Sequence, residues 1–157
     1  MKHLHGLFLS IQKDLYCIAK MKIKNENDIE DIIQETMINA YTNLKKLKSN
    51  NYFKTWIIRI LINNCNKFYK KKNLEPLDDK QDINKIPTKE IDLATIEFEN
   101  FISFLTEEER TILTLYYSLS YTTKEIAQIL QKREGTICSK ISRAKVKIKE
   151  KYKGEFY

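Results

Sequence analysis

Only three glycines and two prolines occur among the 157 residues, and this scarcity constrains the fold more than any other feature of the sequence. Sheet architectures reverse direction often, and each reversal favours residues that fix φ or tolerate positive φ. A chain this poor in both has few places to turn. Both prolines, Pro76 and Pro87, lie in one stretch. The pattern predicts an all-α protein built as two small helical domains with a break between them.

Charge divides the chain in the same places. Residues 1–72 are apolar-periodic and end in the basic run NKFYKKK. Residues 73–99 contain eight acidic residues and three lysines, a formal net of −5, and hold both prolines. This stretch reads as a flexible acidic linker that enters a helix near Asp92. Residues 100–157 are periodic again and strongly basic at the end. The net charge of +7 favours a polyanionic partner: nucleic acid, an anionic membrane surface or an acidic protein.

Several classes are disfavoured. No apolar run approaches the ~18 residues of a membrane span, and the N-terminus lacks the apolar core of a signal peptide. The expected location is the cytoplasm, with no membrane partner. Cys17, Cys65 and Cys138 are far apart, with no CxxC pair, so neither a disulfide framework nor a zinc site is expected. No nucleophile–base arrangement, glycine-rich phosphate loop or metal cluster is legible. The chain is therefore not expected to be an enzyme or to hold a cofactor.

Three helices are predicted in the first domain. The first uses Leu7, Ile11, Leu15, Ile18 and Ala19. The second, DIEDIIQETMINAYTNL, places Ile29, Ile32, Ile33, Met37, Ala40, Tyr41 and Leu44 at spacings of three and four, one face of about four turns. Asp28 is its expected N-cap. The opposite face carries Asp31, Gln34, Glu35 and Ile38. The turn-forming SNNY separates it from a third helix, whose expected stripe is Phe53, Trp56, Ile57, Ile60, Leu61 and Phe68.

In the last domain, Thr106 and Glu109 form a capping box ahead of a stripe of Ile112, Leu115, Tyr116 and Leu119. Two further helices follow around a short turn. Thr122 or Thr123 caps the first, whose Ile126, Ala127 and Leu130 face inward. Residues 131–134 form the turn, and Gly135 or Thr136 opens the second, with Ile137 and Ile141 buried. A small residue at Ala127 lets the two helices cross closely. This is a helix-turn-helix, whose second helix enters the major groove by its N-terminal end. The outward residues are Arg133, Thr136, Cys138, Ser139, Lys140, Ser142 and Arg143. Short polar side chains allow close approach to bases, and the cations pair with guanine edges or phosphates. Lys145, Lys147, Lys149 and Lys151 are expected to meet backbone phosphate. Gln131 stands where a glycine often eases a left-handed backbone; that conformation costs it about 1 kcal/mol.

Residues 105–150 resemble the fourth region of bacterial RNA polymerase sigma factors, the short extracytoplasmic-function (ECF) group above all. The resemblance rests on Leu105, Arg110, Glu125-Ile126-Ala127, Leu130, Glu134-Gly135-Thr136-Ile137, Ser139, Lys140, Arg143 and Ala144. The sequence departs from the family's wording at Thr106, for proline, at Gln131, for glycine, at Cys138, for lysine or arginine, and at Lys140, for arginine. DIEDIIQETMINAY and FKTWIIRILINNCNKFYKKK resemble the family's second region independently, with Lys67 in place of an aspartate.

This resemblance implies a sigma factor with region 2 at 1–72, a linker at 73–99 and region 4 at 100–157. It implies that Asp31, Gln34 and Glu35 grip the clamp coiled coil of the polymerase β′ subunit. Promoter DNA is the second partner, and an anti-sigma factor is commonly implied. Melting of the downstream promoter element needs a polar pocket for flipped bases and a cationic track for phosphates. Asn50, Asn51 and Tyr52 suit the pocket; Asn63, Lys67, Lys70 and Lys71 suit the track. The alternative is a helix-turn-helix regulator that does not associate with polymerase as a sigma factor. A basic protein bound to acidic membranes explains the one-sided apolar stripes less well.

Overall fold

The computed structural model describes residues 2–74 and 93–155, in two compact units, Met1–Glu90 and Ile91–Tyr157. Residues 75–92, the greater part of the expected linker, lie outside the described residues. Every element among the described residues is helical, as the shortage of turn-formers requires.

The first unit is a three-helix bundle: α1 (Lys2–Lys22), α2 (Glu26–Thr42) and α3 (Phe53–Leu74), each packed on the other two. Ile11, Leu15, Ile18 and Ala19 of α1 are fully buried, as their spacing predicts. Edge-on packing of Phe8 against Phe53, with centroids 5.1 Å apart, closes one end of the core. The N-cap of α2 is Asn25, not Asp28: the Asn25 side chain accepts from the Asn27 and Asp28 N–H groups. Asp28 instead sits in the first turn, where the positive end of the helix dipole favours it. Of the stripe expected on α2, Ile29, Ile32 and Ala40 are buried, whereas Tyr41 is exposed.

On α3 the buried face is rotated from the expected stripe. Ile58, Ile62 and Cys65 join Phe53, Ile57 and Leu61 inside. Trp56, Ile60 and Phe68 are only half-buried. The reason is that α3 meets α1 and α2 together, so its buried arc is wider than a single stripe and centred elsewhere. One polar link crosses this core. Asn64 Nδ2 donates to Thr36 Oγ1 (3.1 Å), and Thr36 Oγ1 donates to the Ile32 carbonyl (2.8 Å). Both residues are buried, so truncating either strands its partner, at about 1–3 kcal/mol.

The second unit contains α4 (Leu93–Phe101), α5 (Glu107–Leu113), a π-helical turn (Thr114–Ser118), α6 (Thr123–Leu130) and α7 (Glu134–Lys151). The capping box at Thr106 and Glu109 is present in both directions. Arg110 Nη1 donates to the carbonyls of Ser103 (3.1 Å) and Leu105 (2.9 Å), which closes the turn between α4 and α5. The π turn, in which the Leu119 N–H reaches the Thr114 carbonyl, shifts the helical register. Leu113, ahead of the turn, joins Ile112 and Leu115 in the core, while Tyr116 and Leu119, expected inside, are half-buried.

Thr122 caps α6. Ile129 is buried rather than Leu130, which is half-buried. Gln131 adopts the left-handed conformation, φ 54° and ψ 46°. Its own N–H and that of Lys132 both close on the Ala127 carbonyl. These bonds satisfy a carbonyl that the helix end leaves open and offset the strain of a side chain there. The second helix of the motif opens one or two residues earlier than expected, at Glu134, with Ile137, Ile141 and Ala144 buried beneath it.

Candidate nucleic-acid interface

Asp31, Gln34 and Glu35 share one exposed face of α2. Beside them lies an apolar cleft of about 380 Å³ lined by Phe8, Leu9, Met37, Ile38 and Tyr41. Leu9, Ile38 and Tyr41 are each more than half exposed.

Asn50, Asn51 and Tyr52 form a single 3₁₀ turn that leads into α3. The Ser49 side chain caps it by accepting from the Asn51 N–H, and Thr55 Oγ1 donates to the Tyr52 carbonyl (3.1 Å). The turn is thereby held while all three side chains stay exposed. Asn63, Lys67, Lys70 and Lys71 recur at helical spacing on the exposed side of α3. At about 1.5 Å per residue, Lys70 lies about 25 Å along the helix from Phe53. The turn and the lysines are thus two ends of a long surface, not one pocket. Phe53 is fully buried and Trp56 half-buried against it, so neither ring stands free as a stacking platform.

The helix-turn-helix presents its α7 N-terminus to solvent. Arg133 occupies the cap position without a side-chain cap bond. An added Cβ at Gly135 would meet nothing within 4 Å, so packing within the unit does not demand glycine there. Thr123 Oγ1 donates to Glu134 Oε1 (2.8 Å), which pins the start of α7 to the start of α6. Cys138, Ser139, Ser142 and Arg143 are exposed, and Thr136 is half-buried. Arg143 Nε donates to the Ser139 carbonyl (3.3 Å).

The lysines are less free than the sequence implied. Lys140 Nζ binds Glu108 at 3.0 Å, and Lys132 binds the other oxygen of the same carboxylate at 2.5 Å. Lys147 binds Glu109 at 2.5 Å. Lys145 lies over the Tyr117 ring and Lys151 over the Phe104 ring, 5.9 and 5.7 Å from the centroids. The hydrogen bond from Lys132 holds the Glu108 carboxyl below its ordinary range, against some burial and with help from Lys140. Burial raises Glu109, but Lys147 and the Thr106 N–H outweigh it, and this carboxyl too lies below its ordinary range. Sequence reasoning saw Glu109 only as a cap and gave Glu108 no role. The available signal was the EEE run, three like charges placed on a helix that must pack beside a lysine-rich one.

A helical unit with an acidic-polar outer face and a cationic helix, followed by a helix-turn-helix unit, defines a DNA-binding transcription protein. Comparison with known proteins narrows the class. The Sigma-70 region 2 profile matches residues 7–75 and the Sigma-70, region 4 profile residues 96–148. The ECF RNA polymerase sigma-E factor of Haemophilus influenzae is 27% identical over 143 residues, covering 81% of this chain and 76% of the relative. The RNA polymerase sigma factor SigV of Bacillus subtilis is 25% identical over 134 residues, covering 85% and 81%. Among solved structures, the sigma factor RpoE from Bartonella quintana, in complex with the anti-sigma factor NepR, superposes with a TM-score of 0.76. Its identity is 21%, with 98% of this chain and 99% of that one covered. CnrH, in complex with the cytosolic domain of CnrY, gives 0.69 at 18% identity, covering 93% and 84%.

The chain belongs to the sigma-70 family and carries regions 2 and 4 in order. Its function is that of a sigma factor of the ECF type: a polymerase-binding subunit that directs promoter recognition and transcription initiation. A regulator that acts apart from polymerase does not account for the match over residues 7–75.

Proposed function

We propose that the two units divide the work of initiation by residue. Asp31, Gln34 and Glu35 on α2 bind the clamp coiled coil of the polymerase β′ subunit. Asn50, Asn51 and Tyr52 receive flipped bases of the downstream promoter element. Asn63, Lys67, Lys70 and Lys71 carry the phosphates of that single strand. In the second unit, Arg133, Thr136, Cys138, Ser139, Ser142 and Arg143 face the major groove of the upstream element, with Lys145 at its edge. Lys140 and Lys147 flank that surface from within ion pairs. Residues 1–72 serve as the polymerase-binding and melting domain, and the acidic stretch after them as a linker into the upstream-element domain, whose first helix, α4, opens at Leu93 rather than at residue 100.

The carrying observation is the exposed carboxylate-and-amide face of α2 on a bundle whose α3 is cationic outside. A single bundle with opposite charges on two helices suits two partners, one protein and one nucleic acid. The protein acts by binding and positioning rather than by catalysis, and it works in the cytoplasm. No helix among the described residues is long and apolar enough to cross a membrane.

An anti-sigma factor is the third partner we propose. Support comes from the neighbours solved with NepR and with CnrY. The exposed apolar cleft on the first unit and a groove on the second, lined by Phe98, Phe101, Leu113, Tyr117, Val146 and Tyr152, offer such a partner apolar surface.

The test is charge reversal. Asp31→Lys with Glu35→Lys should weaken association with core polymerase by at least about 100-fold, since like charges placed face to face cost several kcal/mol. Affinity measured by fluorescence with labelled chain reads this directly. Unchanged affinity would remove the α2 face from the interface.

A further inference from the structure

We propose that Glu108 and Glu109 are built-in counter-ions that withhold Lys132, Lys140 and Lys147 from DNA phosphate, and so suppress binding of the free chain to duplex of any sequence. The inference rests on the DNA-binding reading of the second unit.

The geometry supports it in three ways. First, the two oxygens of Glu108 are divided between two lysines, Oε1 with Lys132 and Oε2 with Lys140, at 2.5 and 3.0 Å. Second, Glu109 cannot simply swing out with its lysine. Its Oε1 holds Lys147 while its Oε2 accepts from the Thr106 N–H at 3.0 Å, the return half of the capping box. Leaving would break the cap. Third, the carboxylates sit in the first turn of α5, where the helix dipole favours negative charge. With both carboxyls held below their ordinary range, the pairs are fully charged near neutral pH.

The consequence follows from what drives non-specific binding. Each phosphate neutralised by a lysine releases condensed cation, and this release supplies essentially all sequence-independent affinity. A lysine already neutralised by a carboxylate gains little from phosphate, because one ion pair is exchanged for another. Base-edge contacts from Ser139 or Arg143 are untouched by that exchange. Three paired lysines therefore lower the affinity for any duplex and leave the preference for the right one to the base-edge contacts.

The experiment uses the full chain and a fluorescently labelled duplex of non-promoter sequence, with anisotropy titrations over a range of salt. Glu108→Gln with Glu109→Gln should steepen the slope of log K against log salt by about 0.9 for each lysine released, up to about 2.7. Affinity at low salt should rise about tenfold or more. Glutamine at position 109 keeps the cap acceptor. Glu108→Gln alone leaves the cap intact and should yield about 1.8 of that increase. Lys147→Gln should leave the slope unchanged in the native background and lower it by about 0.9 beside Glu109→Gln. If the native chain binds with a salt-dependent slope and both glutamine variants share it, the counter-ion inference falls and the DNA reading stands. If no form shows salt-dependent binding to duplex, the DNA reading falls and takes the inference with it.

Discussion

The two units treat charge in opposite ways. In the first, Lys67, Lys70 and Lys71 project from α3 and form no ion pair among the described residues, and Asp31 and Glu35 project equally free from α2. In the second, lysines on α7 and in the preceding turn are clamped to carboxylates of α5. Both units are helical bundles of similar chemistry. The difference is whether the fold carries an opposing charge within reach. Along α3, no carboxylate among the described residues pairs with Lys67, Lys70 or Lys71. Beside α7, the first turn of α5 supplies two. A basic helix is therefore not one kind of object. Lys67, Lys70 and Lys71 are available to a partner at once, whereas Lys132, Lys140 and Lys147 must be exchanged away from a resident anion.

The contrast can be broken or sharpened experimentally. The largest effect tests whether the units are separate in stability as well as in charge. Leu15→Ala removes a fully buried side chain from the first core and should cost about 2–5 kcal/mol. It should lower the melting of the first unit and leave that of the second in place, as differential scanning calorimetry resolves. A single shifted transition for both would show that they share their stability.

Next in size is Arg143→Ala. Loss of a base contact should cost about 1–3 kcal/mol on the cognate promoter and relax selection at one position. Transcript yield from a promoter library reads this, and an undiminished yield would strike Arg143 from the interface. Smaller still is the effect of one lysine. Lys70→Gln should reduce the salt slope of single-strand binding by about 0.7, whereas Lys147→Gln should barely alter the slope for duplex. Equal losses would dissolve the contrast between free and paired cations.

The smallest effect is on acid stability. The Glu108 and Glu109 carboxyls titrate below their ordinary value of 4.5. A group lowered on folding contributes stability that is present above its unfolded pKa and lost as pH falls through the folded one. The second unit should thus lose stability as pH drops below about 4.5. These pairs are partly solvated, so each contributes at most about 1 kcal/mol. Glu108→Gln should flatten that slope in acid unfolding followed by circular dichroism. An identical slope would mean that the pairs contribute nothing measurable.

Much of this architecture is legible in the sequence because it is local. The all-helical class follows from missing turn-formers. The capping box at Thr106, the left-handed Gln131 and the burial of Ile137 and Ile141 depend on residues a few positions apart. The exposed face bearing Asp31, Gln34 and Glu35 follows from helical period alone. What sequence reasoning missed is set by tertiary neighbours. Ile58, Ile62 and Cys65 are buried because α3 has two partners, not one. Tyr116 and Leu119 are only half-buried at a π turn that no periodicity announces. Thr36 and Asn64 look like surface polar residues until their helices are packed. Glu108 meets Lys140 across 32 positions and Glu109 meets Lys147 across 38, separations over which pattern carries no information about contact.

The central claim is that one bundle hooks polymerase while a helix-turn-helix grips duplex, so that the enzyme starts only where this chain directs it. Run-off transcription with purified core polymerase, this chain and a pool of promoter fragments tests it most directly. The account predicts defined transcripts that appear only when the chain is added and vanish with Asp31→Lys and Glu35→Lys. Transcripts that are the same with and without the chain would contradict it.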